Sequence, residues 1–201
     1  MISKDDLAGL ILAGGRSTRM QSPKAWVPLH GKPLVHWVHA WLADRVAQVY
    51  VSANQDAQAF QPYGTVVADD PEYAGQGGPL AGVASVLAQL QQNWLLVLPV
   101  DVPYLPSNLL DRLSKAALQC NAPVAYVTSP SGDHPLCMLV RRDQHAALHA
   151  YLFSGQRKVS GWQQAQGAVA VPYDNSDQSL FFNVNTPADL DRAQTLPPPA
   201  S

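Results

Sequence analysis

Residues 7–24, LAGLILAGGRSTRMQSPK, run from an apolar stretch into two glycines and then Arg16, Arg19 and Lys24. Leu10, Ile11, Leu12 and Ala13 read as the end of a strand buried on both faces, as in a parallel sheet. Gly14 and Gly15 fall where the chain must turn sharply. Lacking Cβ atoms, they let backbone N–H groups approach a ligand closely. The cations follow at the carboxyl end of the strand, where open α/β sheets bind ligands. Such a loop is shaped to hold a polyphosphate; the plainer alternative is a solvated basic loop after an ordinary strand.

The rest of the chain alternates in the way a parallel sheet requires. Apolar strand-like runs fall at 7–13, 49–53, 65–68, 94–99, 124–128, 137–140 and about 168–171. Between them lie helical patterns, which points to βαβ units and a mainly parallel sheet. Leu34, Trp37, Val38, Trp41 and Leu42 recur at i, i+3, i+4, i+7 and i+8, so an amphipathic helix begins just after Pro33. His36 and His39 lie between those apolar positions, as surface histidines do. Further helices are expected at 80–90, at 109–118 with Ser107 or Asn108 as cap, at 144–152, and after Thr186-Pro187. The stretch 154–167 is polar and carries no clear period. Residues 1–194 read as one domain, and 195–201, with three consecutive prolines, as a disordered tail.

Composition narrows the class. With 201 residues the chain fits one domain of ordinary size. A net charge of −2 argues against a dedicated nucleic-acid binder, which normally presents a basic face. No apolar run approaches a membrane span, and the N-terminus is too acidic for a signal peptide. Cys120 and Cys137 form no C-x-x-C pair and read as reduced thiols of a cytoplasmic protein.

Two commoner phosphate loops are excluded. Gly31-Lys32 has Trp26 where a P-loop needs its first glycine, and Gly75, Gly77 and Gly78 are followed by Leu80 where a dinucleotide fingerprint needs its last. A second candidate site is Leu98-Pro99-Val100-Asp101-Val102-Pro103, where an apolar strand delivers one carboxylate between two prolines. Such a carboxylate either caps a turn or meets a cation. Mg²⁺ is a natural partner, because it typically uses one or two carboxylates with phosphates and water. In Phe182-Asn183-Val184-Asn185-Thr186-Pro187 the two asparagines alternate with apolar residues, so in a strand both would share a face. Asn185 then either completes a Mg²⁺ shell or turns the chain. Thr186 is positioned to cap a helix opened by Pro187, with Asp189 in its first turn.

In order, LAGGRSTRM, Lys24, HGKPL, VSAN, ADDP, GGPLAG, LPVDVPYLP, GDHPL and FNVNTPADL span nearly the whole chain. This ordered set resembles the molybdenum cofactor guanylyltransferases, which transfer GMP from GTP to the terminal phosphate of molybdopterin and release pyrophosphate. The resemblance implies an α/β three-layer sandwich with a mostly parallel, Rossmann-like sheet of the nucleotide-diphospho-sugar transferase type. It implies that Leu12, Ala13, Gly14 and Gly15 contact the nucleotide, that Lys24 and Arg19 bind phosphate, and that Asp70 lies near the nucleotide. The segment Gly78, Pro79, Leu80 and Gly82 would meet the base. Asp101 would hold Mg²⁺ with Asn185, making Arg19, Lys24 and Asp101 the catalytic set. Arg157, Lys158 and Asn183 would serve molybdopterin. Other cofactor-biosynthesis proteins and molybdoenzyme acceptors are further partners that the resemblance implies. Two departures stand out: Ser22-Pro23 precedes Lys24 where the family often has Gly-Asp, and Ser52 replaces a family asparagine at the nucleotide. The resemblance thus implies that Ser52 makes that contact through its shorter hydroxyl or shares it with Asn54, two residues on and on the same face.

A cytidylyltransferase acting on the same cofactor usually opens with L-A-A-G, so Gly14 favours guanine. A sugar-1-phosphate nucleotidyltransferase generally carries a longer substrate half. A non-catalytic nucleotide-binding module would not need Asp101, Lys24 and Arg19 together. A serine hydrolase lacks its G-x-S-x-G. His134, before Pro135, reads as a buried, hydrogen-bonded histidine, since the chemistry needs no general base.

Overall fold

Every residue of the first strand, β1 (Leu7–Leu12), is buried. Leu7 and Ile11 join one hydrophobic cluster, and Ala8, Leu10 and Leu12 join a second. A strand that feeds two cores lies in the middle of a layered molecule. The computed structural model describes residues 1–14, 23–73, 78–130, 132–174 and 180–200. After β1, a small hairpin of β2 (Pro28–Leu29) and β3 (Lys32–Pro33) leads into α1 (Leu34–Ala43). Next come β4 (Gln48–Ser52), the short α2 (Ala57–Phe60), β5 (Thr65–Val67), α3 (Pro79–Leu87) and β6 (Trp94–Pro99). The second half holds α4 (Leu109–Gln119), β7 (Val124–Ser129), β8 (Gly132–Arg141), α5 (His145–Phe153), α6 (Val159–Ala165), β9 (Val169–Pro172) and α7 (Pro187–Gln194).

The main sheet has seven strands in the order β5-β4-β1-β6-β8-β7-β9. Only β8 pairs antiparallel to its neighbours; β4, β5, β6 and β9 pair parallel. Helices α1 and α4 bury residues in the first cluster, α3, α5 and α6 in the second. The result is the expected three-layer α/β sandwich with a mostly parallel sheet. From β1 the chain proceeds to β4 on one side, and β6 later returns to the other. A crevice at the carboxyl ends of the strands lies where strand order reverses in this way.

Four local expectations are corrected. Within 154–167, expected to be patternless, residues 159–165 form α6. It is anchored by the fully buried Trp162 and by Gln163, whose Nε2 donates to the Pro135 carbonyl at 2.8 Å. One aromatic per helix leaves no period to read. Asn108 sits at the start of α4 without a side-chain cap; its Oδ1 instead accepts from the Tyr173 hydroxyl at 3.2 Å. The Asn183–Asn185 segment is irregular rather than a strand, pinned by the Val184 N–H on the Asp101 carbonyl at 2.8 Å. In the tail, Leu196 packs against the first cluster and Pro199 is buried. The cap at Thr186 forms as a reciprocal box with Asp189.

Candidate nucleotide site

The register of the sheet builds the site. Leu12 is the partner of Ser52 on β4 and of Pro99 on β6, so three strands end flush. Beyond them opens a cavity of about 610 Å³, lined by Leu12, Ala13, Gly14, Lys24, Ser52, Asn54, Asp69, Gly78, Pro79, Pro99, Val100, Asp101 and Leu136. Ligand pockets of this kind typically span roughly 300–1,000 Å³. Of the residues expected at the nucleotide, Leu12, Ala13, Gly14, Lys24, Ser52, Asn54, Gly78, Pro79 and Asp101 meet here. Gly15 and Arg19 lie outside the described residues.

Of the loop expected to turn its amides toward a ligand, only Ala13 and Gly14 are among the described residues, and both amides are engaged within the sheet. The N–H groups of Ala13 and Gly14 both donate to the Ser52 carbonyl, at 3.1 and 3.0 Å, and the Leu12 carbonyl accepts from Val100 N–H at 3.1 Å. These bonds extend the sheet by one step and fix the crevice walls. Among the described residues, a Cβ on Gly14 would meet only the Ser52 carbonyl oxygen, at 3.7 Å.

Two members of the segment expected at the base do not line the cavity. Leu80 is fully buried in the second cluster. Gly82 packs against Ser52: a Cβ there would stand 2.2 Å from Ser52 Oγ and 2.9 Å from its Cβ. Gly82 thus lets α3 close on β4, and that contact leaves Ser52 only 6% exposed.

Of the adjacent pair Asp69-Asp70, it is Asp69 that lines the cavity. Asn54 grips it at two points: Nδ2 donates to Asp69 Oδ2 at 2.8 Å and Oδ1 accepts from Asp69 N–H at 2.8 Å. Asp70 faces a separate cavity of about 340 Å³ beside Glu72, Tyr73, His145 and His149, its N–H donating to Ser85 Oγ at 2.8 Å. Adjacent residues leave a strand end on opposite sides, and nothing in Asp-Asp tells which side is which.

At the other wall Lys24 Nζ donates to Asp101 Oδ2 at 2.8 Å and to Asn185 Oδ1. These two side chains come from the end of β6 and the approach to α7, and both aim an oxygen at one ammonium. Lys24 and Asp101 are partly sheltered, at 23% and 21% side-chain exposure. On the far side of Asp101 a smaller cavity of about 170 Å³ is lined by Asp133, His134, Pro135, Cys137 and Asn183, among others. His134 stacks on Phe181 with ring centroids 5.1 Å apart, and its Nε2 lies 2.9 Å from Ser129 Oγ. Burial lowers its pKa despite the opposing pull of Asp133, so the ring is neutral at pH 7. Burial, aided by the Asp101 charge, raises the Cys137 thiol pKa and keeps it protonated. The expected hydrogen bond of His134 is present; its place in a cavity wall was not expected.

Arg157 and Lys158 line neither of these two cavities. Arg157 Nη1 donates to the Leu152 and Gln156 carbonyls at the end of α5, while Lys158 precedes α6 and its carbonyl accepts from the Tyr151 hydroxyl at 2.8 Å. Cations commonly close a helix in this way.

A crevice at the strand-order reversal, with a cavity of about 610 Å³ and a lysine and a carboxylate at its wall, is where an open α/β sheet takes a ligand. The chain's likeness to known proteins makes the class that of nucleotidyltransferases. Residues 9–171 match the MobA-like NTP transferase domain. The chain is 36% identical over 198 residues to the molybdenum cofactor guanylyltransferase of Cupriavidus metallidurans, an alignment covering 94% of this chain and 95% of that one. It belongs to the molybdenum cofactor guanylyltransferase family. Its fold is also that of molybdopterin-guanine dinucleotide biosynthesis protein A from Archaeoglobus fulgidus, at TM-score 0.74 and 23% identity over 94% of this chain and 97% of that one. A Mycobacterium tuberculosis protein solved in complex with manganese shares the fold at TM-score 0.68 and 16% identity, over 94% and 98% of the two chains.

Proposed function

We propose that this protein transfers the guanylyl group of GTP to the terminal phosphate of molybdopterin. An oxygen of the acceptor phosphate attacks the α-phosphorus, the bond from that phosphorus to the bridging oxygen of the β-phosphate breaks, and pyrophosphate leaves with the electron pair. The observation that carries this reading is the meeting of Lys24, Asp101 and Asn185 beside the 610 Å³ cavity. Both substrates are anions that repel, and no protein nucleophile is needed because a phosphate oxygen is already ionised at neutral pH. Positioning and electrostatic stabilisation then supply most of the rate. Lys24 neutralises charge that builds on the pyrophosphate as it departs, and Arg19 is assigned the same duty.

The donor set suits a hard divalent cation. Asp101 and Asn185 offer one carboxylate and one neutral amide oxygen, already converging on a single cation, the Lys24 ammonium. Among the described residues there is no group of three or more His, Cys, Asp or Glu that could hold a metal alone. Two oxygens with the remainder from phosphates and water is the usual arrangement for Mg²⁺. When bound, Mg²⁺ would lower the repulsion between the two phosphate groups. The manganese complex of the Mycobacterium protein is in keeping with a divalent metal in this fold.

GTP fills the larger cavity in this proposal, with Asp69 and Gly78 on the side away from Asp101. The acceptor approaches Asp101 from the smaller cavity, where Asn183 and His134 stand. Action in the cytoplasm, alongside other proteins of cofactor assembly, belongs to the same reading; among the described residues no helix is long and apolar enough to cross a membrane. Incubation with Mg²⁺, molybdopterin and each of GTP, CTP, ATP and UTP tests it. GMP transfer with matching pyrophosphate release is expected from GTP. Transfer from CTP in preference to GTP overturns the base assignment.

A further inference from the structure

Resting on the reading of a metal-assisted transfer, we infer that Lys24 is the resident counter-ion of the Asp101–Asn185 pair, excluding a free divalent cation until the nucleotide draws its ammonium away.

The Lys24 ammonium has three donors and no acceptor, so any oxygen that contacts it must turn a lone pair toward it. Asp101 Oδ2 and Asn185 Oδ1 both do so. The same lone pairs would bind a metal, and Nζ occupies the point on which they converge. A second cation at that point would face an ammonium at contact distance, and like charges so close repel strongly in a partly sheltered site. Metal and ammonium are therefore alternatives. Among the described residues no group of three or more acidic, histidine or cysteine side chains stands there, and the nearby Asp189 carboxylate is engaged by the Asn185 and Thr186 N–H groups, so the protein alone has little with which to outbid its own lysine.

Lys24 also lines the larger cavity, so a nucleotide placed there offers the ammonium phosphate oxygens within its own reach. A swing of the flexible side chain onto phosphate then vacates Asp101 and Asn185, while the phosphates bring the remaining ligands for the cation. Metal and nucleotide thus raise each other's affinity by equal factors, as linkage requires. The ion pair has a further effect: it keeps Asp101 compensated and the oxygens pre-aimed while the site is empty. A purely structural ion pair, with Lys24 held on Asp101 throughout turnover, would go on excluding the metal after nucleotide has bound.

The test is Mn²⁺ titration of the full-length, nucleotide-free protein, with free Mn²⁺ read by electron paramagnetic resonance. Lys24→Met is expected to bind Mn²⁺ at least about tenfold tighter than wild type, within the usual range of couplings between sites. Lys24→Gln, which keeps a hydrogen-bond donor without the charge, is expected to show the same rise and stands in should the methionine variant fail to fold. Lys24→Arg, which keeps the charge, should bind as weakly as wild type. Adding Asp101→Asn to Lys24→Gln should abolish the gain. Unchanged or weaker Mn²⁺ binding in the charge-removing variants overturns the inference. No nucleotide or acceptor enters this experiment, so its failure is separate from a failure of guanylyl transfer.

Discussion

The two halves of the sheet build their cavities by different means. In β5-β4-β1-β6 all pairings are parallel, and the register brings Leu12, Ser52 and Pro99 to one line. The walls of the larger cavity are the strand ends themselves, knit by backbone hydrogen bonds. In β8-β7-β9 the antiparallel β8 reverses direction, and the smaller cavity is made by segments that fold back: 133–137 near the start of β8 and Asn183 in the irregular approach to α7. Asp101 belongs to both linings. A cavity at strand ends inherits its precision from the sheet. One made by returning segments depends on a few side-chain anchors, chiefly Trp162, Phe181 and Val184, all buried.

The largest effect should therefore come from an anchor of the second half. Trp162 is fully buried among the residues that pack α6 on the sheet. Trp162→Ala should lower unfolding stability by about 3–5 kcal/mol, the usual cost of truncating a large buried aromatic. Urea unfolding measures it. A loss below about 1 kcal/mol would mean that α6 is dispensable and that the contrast between the halves is misdrawn.

Next in size is the carboxylate that lines both cavities, alongside Pro99 and Leu136. Asp101→Ala removes the carboxylate that faces both cavities and leaves the Lys24 ammonium with only Asn185. Turnover of GTP should fall at least ~10²-fold, the scale of losing one preorganised electrostatic group. Steady-state GMP transfer reads the effect, and near-normal turnover would place the chemistry in one half alone.

The difference between the halves also explains what was legible in the sequence. Apolar runs at 7–13, 49–53 and 94–99 mark the buried parallel strands, and strand ends are where ligands bind, so Gly14 and Asp101 could be picked before any geometry, while Leu12 and Ser52 came from the family resemblance. Asp69 could not be told from Asp70, because the choice depends on the two-point grip of Asn54, a tertiary contact. Arg157 and Lys158 were expected at molybdopterin on the resemblance; that the Arg157 guanidinium turns back onto the Leu152 carbonyl of α5 is a detail no charge pattern reveals. His134 was read as a satisfied histidine, which it is; its place beside Asn183 depends on how 180–185 returns along Asp101. The alternation of Asn183 and Asn185 was sound as a pattern, yet one backbone bond at Val184 set the path of that segment instead.

A third perturbation tests whether the first half owes its precision to close packing. Gly82→Ala would place a methyl group 2.2 Å from Ser52 Oγ, and backbone or side chain must yield. Overpacking of this kind costs about 1–3 kcal/mol. Ser52→Gly removes both clashing atoms, at about 1 kcal/mol for a glycine in a strand. In the double variant the two changes should compensate, with a favourable coupling of at least about 1 kcal/mol in a double-mutant cycle. Simple additivity would show that α3 shifts freely and that the register is not held there.

The smallest predicted effect separates two neighbouring carboxylates. Asn54→Ala frees Asp69 from both of its hydrogen bonds while leaving the charge in place. Losing an exposed pair of this type is worth about 1 kcal/mol, which corresponds to a KM for GTP raised roughly fivefold. The turnover number should stay near normal, because Asp69 lies on the far side of the cavity from Lys24 and Asp101. Asp70→Ala serves as the contrast: it disturbs the cavity beside His145 and His149, so its KM for GTP should match wild type. Equal effects of the two substitutions would mean that nucleotide affinity responds to the acidic segment as a whole, and that the orientation imposed by Asn54 is irrelevant to binding.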